Sequence, residues 1–476
     1  MLLAKQFWKD VFQQKAVYLL MVLFVLLTVY ASYTGYLQMA SQNEIKKLYQ
    51  QAIRESWENN PDKHPHRMAH YGSFALRYKH PLSMFDAGME SYTGNALFME
   101  AHRQNSVIYS DASFSAGMLR LGEVSLAMLL QIVLPLILFF IGYASVASDR
   151  ENGTLKILLS QGATWKEILL GRSLGLFGIA ALFFVPVFMI VAVFLLLHDQ
   201  PVAEADEFTR LLLILFSYTV FFALLSVGTV LISAISKTAK ASLIKLLSVW
   251  LFLAIVAPKT IQAIGTTLYS VPAKVDFETA IEKDILKQGD SHNPDDPFYK
   301  RFKDSVLLAN NVDSSHKLNF NFGGLVGKKG EQLSSEVYKK HQDRLFGIYN
   351  NQIHFSALFS FVNPFAAIRY QSMILSGTDF SAYTSFQQQA ETYRYHLAQQ
   401  MNDWQIQYIP NKAPKEGSHA MHIDKKHWEE FPDFQYRYNP MASVLETALI
   451  SISALVFWLV LVFFLIRRLS NTLKAV

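Results

Sequence analysis

The 476-residue chain contains no cysteine. That excludes disulfides, thiol nucleophiles and thiolate metal centres. A phosphate-cradling loop is missing as well. Such a loop needs Gly, four residues, then Gly-Lys-Ser/Thr, so that backbone amides surround the phosphates. The nearest string, Gly323-Gly324-Leu325-Val326-Gly327-Lys328-Lys329, has the wrong spacing and no following Ser or Thr, and it reads as a flexible loop. The net charge of +5 forms no basic stripe, so no nucleic-acid surface is expected. The polar segments hold no nucleophile–base constellation, and the chain is not expected to be an enzyme.

What is present is apolar sequence in six long runs: Val17–Tyr36, Val124–Ala147, Ser173–Leu197, Leu211–Ile235, Leu243–Ile264 and Val444–Ile466. Each approaches the roughly 20 residues a helix needs to cross a bilayer. The expected class is therefore a helical membrane protein with six transmembrane helices. Ionisable residues are missing from the centres of these runs; Glu123, Arg210, Lys245, Lys259 and Glu446 all lie towards ends. Intramembrane carboxylates or histidines would point to an ion relay. Their absence argues against a secondary transporter, and a wall of Ser, Thr, Tyr, Phe and Met suits an amphipathic or lipidic cargo. Trp165, Tyr218 and Trp250 read as interface anchors or packing residues. Pro135 and Pro186, inside runs, are hinge candidates because proline frees a carbonyl.

Orientation follows from the lysine and arginine content of the short loops. Basic residues flank the N-terminal segment (Lys5, Lys9, Lys15), the loop after the second run (Arg150, Lys156, Lys166, Arg172), the loop before the fifth (Lys237, Lys240) and the C-terminal tail (Arg467, Arg468, Lys474). The loop between the third and fourth runs is acidic, with Asp199, Glu204, Asp206 and Glu207. Both termini are thus expected in the cytoplasm. The first run is too long for the apolar region of a signal peptide, and TVYASYTGYLQMA matches a cleavage site only loosely. Residues 1–16 are expected to form an interfacial helix, with Leu3, Phe7 and Val11 at helical spacing. Residues 17–37 form the first span, 124–264 spans two to five, 444–466 the sixth and 467–476 a tail. Residues 38–123 and 265–443 remain as two extracytoplasmic domains, mainly helical with some extended pieces. The first is expected to begin as a helix continuing from the membrane, QNEIKKLYQQAIRESWEN. Histidines gather at His64, His66, His70 and His80, and again at His419, His422 and His427. Imidazole suits zinc or copper. His64, His66 and His70 are weak metal candidates, and the expectation is that no metal is bound.

The loop at 149–172 carries the most information: Asp149, Arg150 and Glu151 close a span in charge, Gly153-Thr154 allows a turn, and Leu155, Ile157, Leu158 and Leu159 make a short apolar helix. Such a helix between two spans can receive force from a soluble partner, or can simply rest on lipid. Its elements, Glu151, Gly153-Thr154-Leu155, Leu158-Leu159-Ser160 and Lys166-Glu167-Ile168-Leu169-Leu170-Gly171-Arg172, resemble the signature of type-2 ATP-binding-cassette (ABC) export permeases. The outer segments resemble a bacterial subgroup with large inserts after spans one and five, in HYGSFALRYKHPLSMFDAGM, GNALFMEAHRQN and NPFAAIRYQSMILSGTDFSAYTSFQQQAETYRYHLAQQMN. Residues 285–345 resemble nothing further.

The resemblance implies a permease subunit of the bacterial inner membrane, with periplasmic inserts. It would work with a second permease chain, identical or related, and two copies of a cytoplasmic ATPase carrying ATP and magnesium. The chain itself would hold no cofactor. The coupling contact would be Asp149, Arg150, Glu151, Gly153, Thr154, Leu155, Leu158 and Leu159, and a periplasmic partner could dock on the inserts. The alternative is a mechanotransmission or sensory protein that drives periplasmic partners without passing cargo. A coiled-coil stalk would mark that class.

Overall fold

The computed structural model describes residues 2–90, 92–104, 124–197, 206–291, 293, 295–411 and 421–473. Six helical stretches within them are long and apolar enough to cross a membrane: Lys15–Glu58, Leu126–Glu151, Trp165–Leu197, Glu207–Ala234, Ala239–Leu268 and Met441–Thr472. This is the build of a multi-pass helical membrane protein. Each expected run coincides with one of them, the second starting two residues before its stretch and the fourth ending one residue after. The helices overrun the apolar runs because polar helix formers continue the hydrogen-bond ladder beyond the greasy part.

In chain order, α1 (Leu2–Phe12) precedes α2 (Lys15–Glu58), a 44-residue helix. At 1.5 Å per residue α2 is about 66 Å long, so it crosses and continues into the polar part without a break, as the sequence suggests. Then come α3 (Pro65–Tyr71), β1 (Ser73–Leu76), β2 (Ala96–Glu100) and β3 (Arg103–Gln104). The strands form one antiparallel sheet in the order β1-β2-β3, with Phe74 opposite Phe98 and Glu100 opposite Arg103. The second span ends in α4 (Leu134–Gly142) and α5 (Ala147–Glu151), followed by α6 (Thr154–Ser160). Spans three to five are α7 (Trp165–Leu197), α8 (Glu207–Ala234) and the pair α9 (Ala239–Trp250) and α10 (Ala257–Leu268). The second insert holds α11 (Lys274–Gln288), α12 (Pro297–Ala309), α13 (Phe322–Leu358), α14 (Pro364–Leu375), α15 (Phe380–Tyr408) and α16 (Lys426–Glu430). The sixth span is α17 (Met441–Thr472).

Two prolines set the shape of spans two and five. Proline has no N–H and its ring clashes with the carbonyl four residues earlier. Widening the preceding turn relieves the clash. A π-turn over Leu129–Val133 precedes Pro135, and another over Leu251–Val256 precedes Pro258. Side chains from elsewhere meet carbonyls in these turns: Trp250 Nε1 donates to Ile132 O at 3.1 Å, and Asn363 Nδ2 to Leu253 O at 2.7 Å. Pro186 behaves differently, since α7 runs through it as one helix. Of the two hinge candidates only Pro135 marks a break in helical pattern, and Pro258 is a second such point.

The inserts pack together and reach into the bundle. Phe85, after a 3-10 turn at Pro81–Met84, is fully buried against Phe188 and Tyr218, at ring distances of 5.2 and 5.6 Å. From the second insert, Phe365 on α14 lies 5.2 Å from Phe221 of span four. A buried polar chain crosses here. Gln131 donates to Tyr218 Oη at 2.7 Å, Tyr218 to Ser372 at 3.3 Å, and Ser372 to Asp86 at 2.5 Å. Tyr218 is therefore an internal hydrogen-bonding residue rather than an interface anchor, Trp250 is likewise engaged, and Trp165 is buried in the core.

The string at 323–329 is not a loop. It opens α13, capped by Asn321, whose Oδ1 accepts from Gly324 N at 2.8 Å. Its glycines permit close packing on the end of α15: a Cβ at Gly324 would sit 2.9 Å from the backbone nitrogen of Ile406, and one at Gly327 would lie 2.8 Å from Asn402 Oδ1. The stretch 285–345 thus spans the end of α11, α12 and the first two-thirds of α13.

Candidate functional site

The segment 149–172 is held by its three consecutive charged residues, each tied to a different span. Asp149 accepts from Arg172 Nη2 of α7 at 2.8 Å. Arg150 Nη1 donates to the carbonyls of Ala234 and Ser236, at 2.5 and 2.7 Å, where α8 ends. Carbonyls at a helix C-terminus have no intrahelical partner and carry partial negative charge, so a guanidinium fits there. Glu151 accepts from the backbone N–H of Ala239, the first residue of α9, at 3.0 Å, the complementary placement of an anion at a helix N-terminus. Ser233 adds a fourth tie. Its hydroxyl accepts from Val146 N and Ala147 N, at 3.1 and 3.0 Å, and donates to Tyr143 O at 2.8 Å.

Gly153, at φ +78°, turns the chain from α5 to α6 in a conformation that side chains disfavour. Thr164 and Glu167 then start α7 with a reciprocal cap. Glu167 Oε2 accepts from Thr164 N at 2.8 Å, and Thr164 Oγ1 from Glu167 N at 3.2 Å. Between these turns α6 shows two faces. Leu155 is wholly buried in the chain's own core, with Leu158 and Leu159 partly buried against it. Leu155 is therefore not free to enter a partner's groove; the bundle already fills that role. Thr154, Lys156, Ile157, Ser160 and Gln161 are exposed, Ile157 at 57%.

The N-terminal helix joins the same node rather than only lying on lipid. Phe7 and Val11 are buried, and Trp8 Nε1 donates to Gly175 O at 2.7 Å. A Cβ at Gly171 would lie 2.8 Å from Leu3 Cβ, and one at Gly175 would lie 2.9 Å from Phe7 Cδ1. These small residues let α1 seat on α7. Arg172 joins the parts, with Asp149 on one side, Asp10 of α1 at 3.8 Å on the other, and its guanidinium 5.8 Å from the Phe7 ring. The sequence shows Arg172 as one of the basic loop residues and as the end of the Lys166–Arg172 run; no local pattern reveals it as a junction.

The histidines separate into caps and a cluster. His64-Pro65 and His80-Pro81 use one device: the imidazole Nδ1 accepts from the N–H two residues on, at 3.1 and 3.2 Å, and proline occupies the first turn. Burial, then the charges of Arg67 and His422, lowers the His64 pKa; burial followed by Arg210 pushes His80 well down. His64 is thus a cap and not a metal candidate. His66 and His70 instead meet His102, and one ligand atom from each lies within 4.8 Å of the others. His102 lies 32 residues beyond His70 in sequence, with no spacing signal to connect them. Of the second cluster, His419 is outside the described residues and His427 packs on Trp404 and Tyr408, at 5.1 and 5.2 Å. Asp199, Glu204, Glu123 and Lys474 also lie outside the described residues.

Behind His102 stands a buried ionic group. His102 N and Nδ1 both lie 3.0 Å from Glu331 Oε2, and Arg394 Nη1 lies 2.7 Å from Oε1. Burial opposes ionisation of Glu331, but the His102 hydrogen bond and the Arg394 charge outweigh it and hold its pKa at about 2.

Residues 274–437 match a family model described as a domain of unknown function, DUF3526. The match covers α11 to α16 and none of the six spans. No curated protein matches the chain.

Proposed function

We propose that this chain is the membrane subunit of an ATP-driven ABC exporter of the type-2 class. Two permease chains, identical or related, would work with two cytoplasmic ATPase subunits that bind ATP and magnesium. The inserts would lie on the periplasmic side of a bacterial inner membrane. The observation that carries the reading is the node at 149–151. Three adjacent charges join one short segment to spans three, four and five, while the tip of that segment leaves Ile157 and Lys156 exposed. A push on α6 therefore reaches three spans directly. This chain has no phosphate-binding loop, so hydrolysis belongs to the partner.

The test is affinity purification of the full chain in detergent, with identification of co-purifying subunits. An ATPase should accompany the wild type and be lost from Ile157→Asp, which places charge on the exposed face without entering the core. Retention of a fully active ATPase by that variant, or ATP hydrolysis by the purified chain alone, would reject the reading. A mechanotransmission role draws support from one feature, the unbroken run of α2 from the bundle into the polar lobe. No matching helix precedes α17, where residues 431–440 are non-helical. A complex that hydrolyses ATP in proteoliposomes but moves no lipid or peptide cargo would select that alternative.

A further inference from the structure

We propose that His66, His70 and His102 bind a divalent transition-metal ion of the zinc type, with Glu331 as the positioning residue behind His102. His66 and His70 stand four residues apart on α3, and this spacing places two side chains on one helix face. His102 comes from the turn between β2 and β3, which is tied to α3 by the hydrogen bond from Ala101 N to Ala69 O at 3.1 Å. The three rings form a triangle, with centroids 4.8, 5.4 and 5.5 Å apart. Zinc–imidazole bonds of about 2.0–2.1 Å separate tetrahedral nitrogens by roughly 3.3 Å. Ligand atoms now within 4.8 Å need only small side-chain rotations to reach that, and His70 is exposed enough to make them.

His102 carries the second and third observations. Its φ is +61°, a left-handed conformation that costs a non-glycine residue free energy and concentrates at functional positions. Its Nδ1 faces the Glu331 carboxylate, which is fully buried and cannot be there for solvent. A carboxylate on Nδ1 fixes the tautomer and orientation of a ring that coordinates a metal through Nε2. The carboxylate is itself fixed. Arg394 pairs with it and is gripped by Glu391 at 2.7 and 2.8 Å, and it also donates to Glu100 O at 3.2 Å, two residues before His102. Glu331 lies on α13 and Arg394 on α15, so the ion sits where the two inserts meet. Three imidazoles without a thiolate favour zinc, copper or nickel over magnesium or calcium. A three-histidine set leaves a tetrahedral ion one position for an exchangeable ligand.

This inference stands apart from the transport reading and needs no ATPase or cargo to test. The full chain, purified in detergent and stripped of metal, is titrated with Co2+ followed by its visible spectrum, then with Zn2+ as competitor. One equivalent should bind, with a low-coordinate cobalt spectrum abolished by zinc. His70→Ala, at an exposed position, should weaken binding by more than the about 10–100-fold expected from losing a supporting partner. Glu331→Gln should weaken it within that about 10–100-fold range and keep the spectral shape. His354→Ala, exposed on α13 and 23 residues along that helix from Glu331, should bind as wild type. Absence of stoichiometric Co2+ and Zn2+ binding, or unchanged affinity in His70→Ala, would overturn the site.

Discussion

Arg172 shows how one buried cation can tie together several elements of a membrane protein. Its side chain is almost inaccessible, and it meets carboxylates from α5 and α1. Breaking a buried pair leaves an uncompensated charge and costs about 3–5 kcal/mol, whereas replacing both partners with apolar groups is often neutral. Arg172→Leu should therefore lower the thermal midpoint of the purified chain markedly, and Asp149→Leu should restore much of the loss in the double variant. A double-mutant cycle read by thermal unfolding decides it; additive effects of the two changes would mean that the pair is not coupled.

Among elements, α1 and α6 flank the same junction but are held differently. The seat of α1 on α7 depends on absent side chains at Gly171 and Gly175, where a Cβ already falls inside contact distance. Gly175→Leu should lift α1 off α7 and remove the Trp8 hydrogen bond. Limited proteolysis should then clip the N-terminus of that variant much faster than wild type, while the rest of the chain remains folded; equal rates would show that α1 is held by something else. The π-turns before Pro135 and Pro258 are also features of this scale. Pro258→Ala restores the missing N–H and removes the ring clash, so span five can regularise. Because a π-turn carries one residue more than an α-turn, the faces of α9 and α10 should then rotate against each other by about 100°. Single-cysteine accessibility along Val249–Ile264 reads that shift, and an unchanged pattern would mean that Asn363 alone imposes the turn.

At the scale of the whole molecule, α2 and α17 connect the bundle to a polar lobe built jointly from the two inserts. The absence of native cysteine makes every introduced cysteine unambiguous. On the proposed orientation, Gln288→Cys, exposed at the end of α11, should react with a membrane-impermeant thiol reagent in intact spheroplasts. Ser160→Cys, exposed at the tip of α6, should react only after lysis. Labelling of the α6 site in intact cells would reverse the orientation and remove the ATPase from its reach.

Membrane class, span number and approximate span positions were determined by sequence alone, because each apolar run is long enough to demand a bilayer whatever surrounds it. The continuation of α2 into polar sequence was equally local, as was the short helix at 154–160. Other features depended on what lies opposite a residue in space. Leu155 looks like a contact residue in sequence, but the bundle buries it. The glycines at 323–327 look like a loop until the end of α15 is placed against them. His102 joins His66 and His70 only because the β2–β3 turn is hydrogen-bonded onto α3. Pro186 and Pro258 are indistinguishable as prolines, yet α7 runs through Pro186 as one helix whereas a π-turn precedes Pro258, and there Asn363, more than a hundred residues away in sequence, donates to Leu253 O. Hydrophobic length and helix propensity act along the chain and survive in a one-dimensional reading. Burial, donor supply and close helix approach arise between segments tens to hundreds of residues apart, and only the packed tertiary structure decides them.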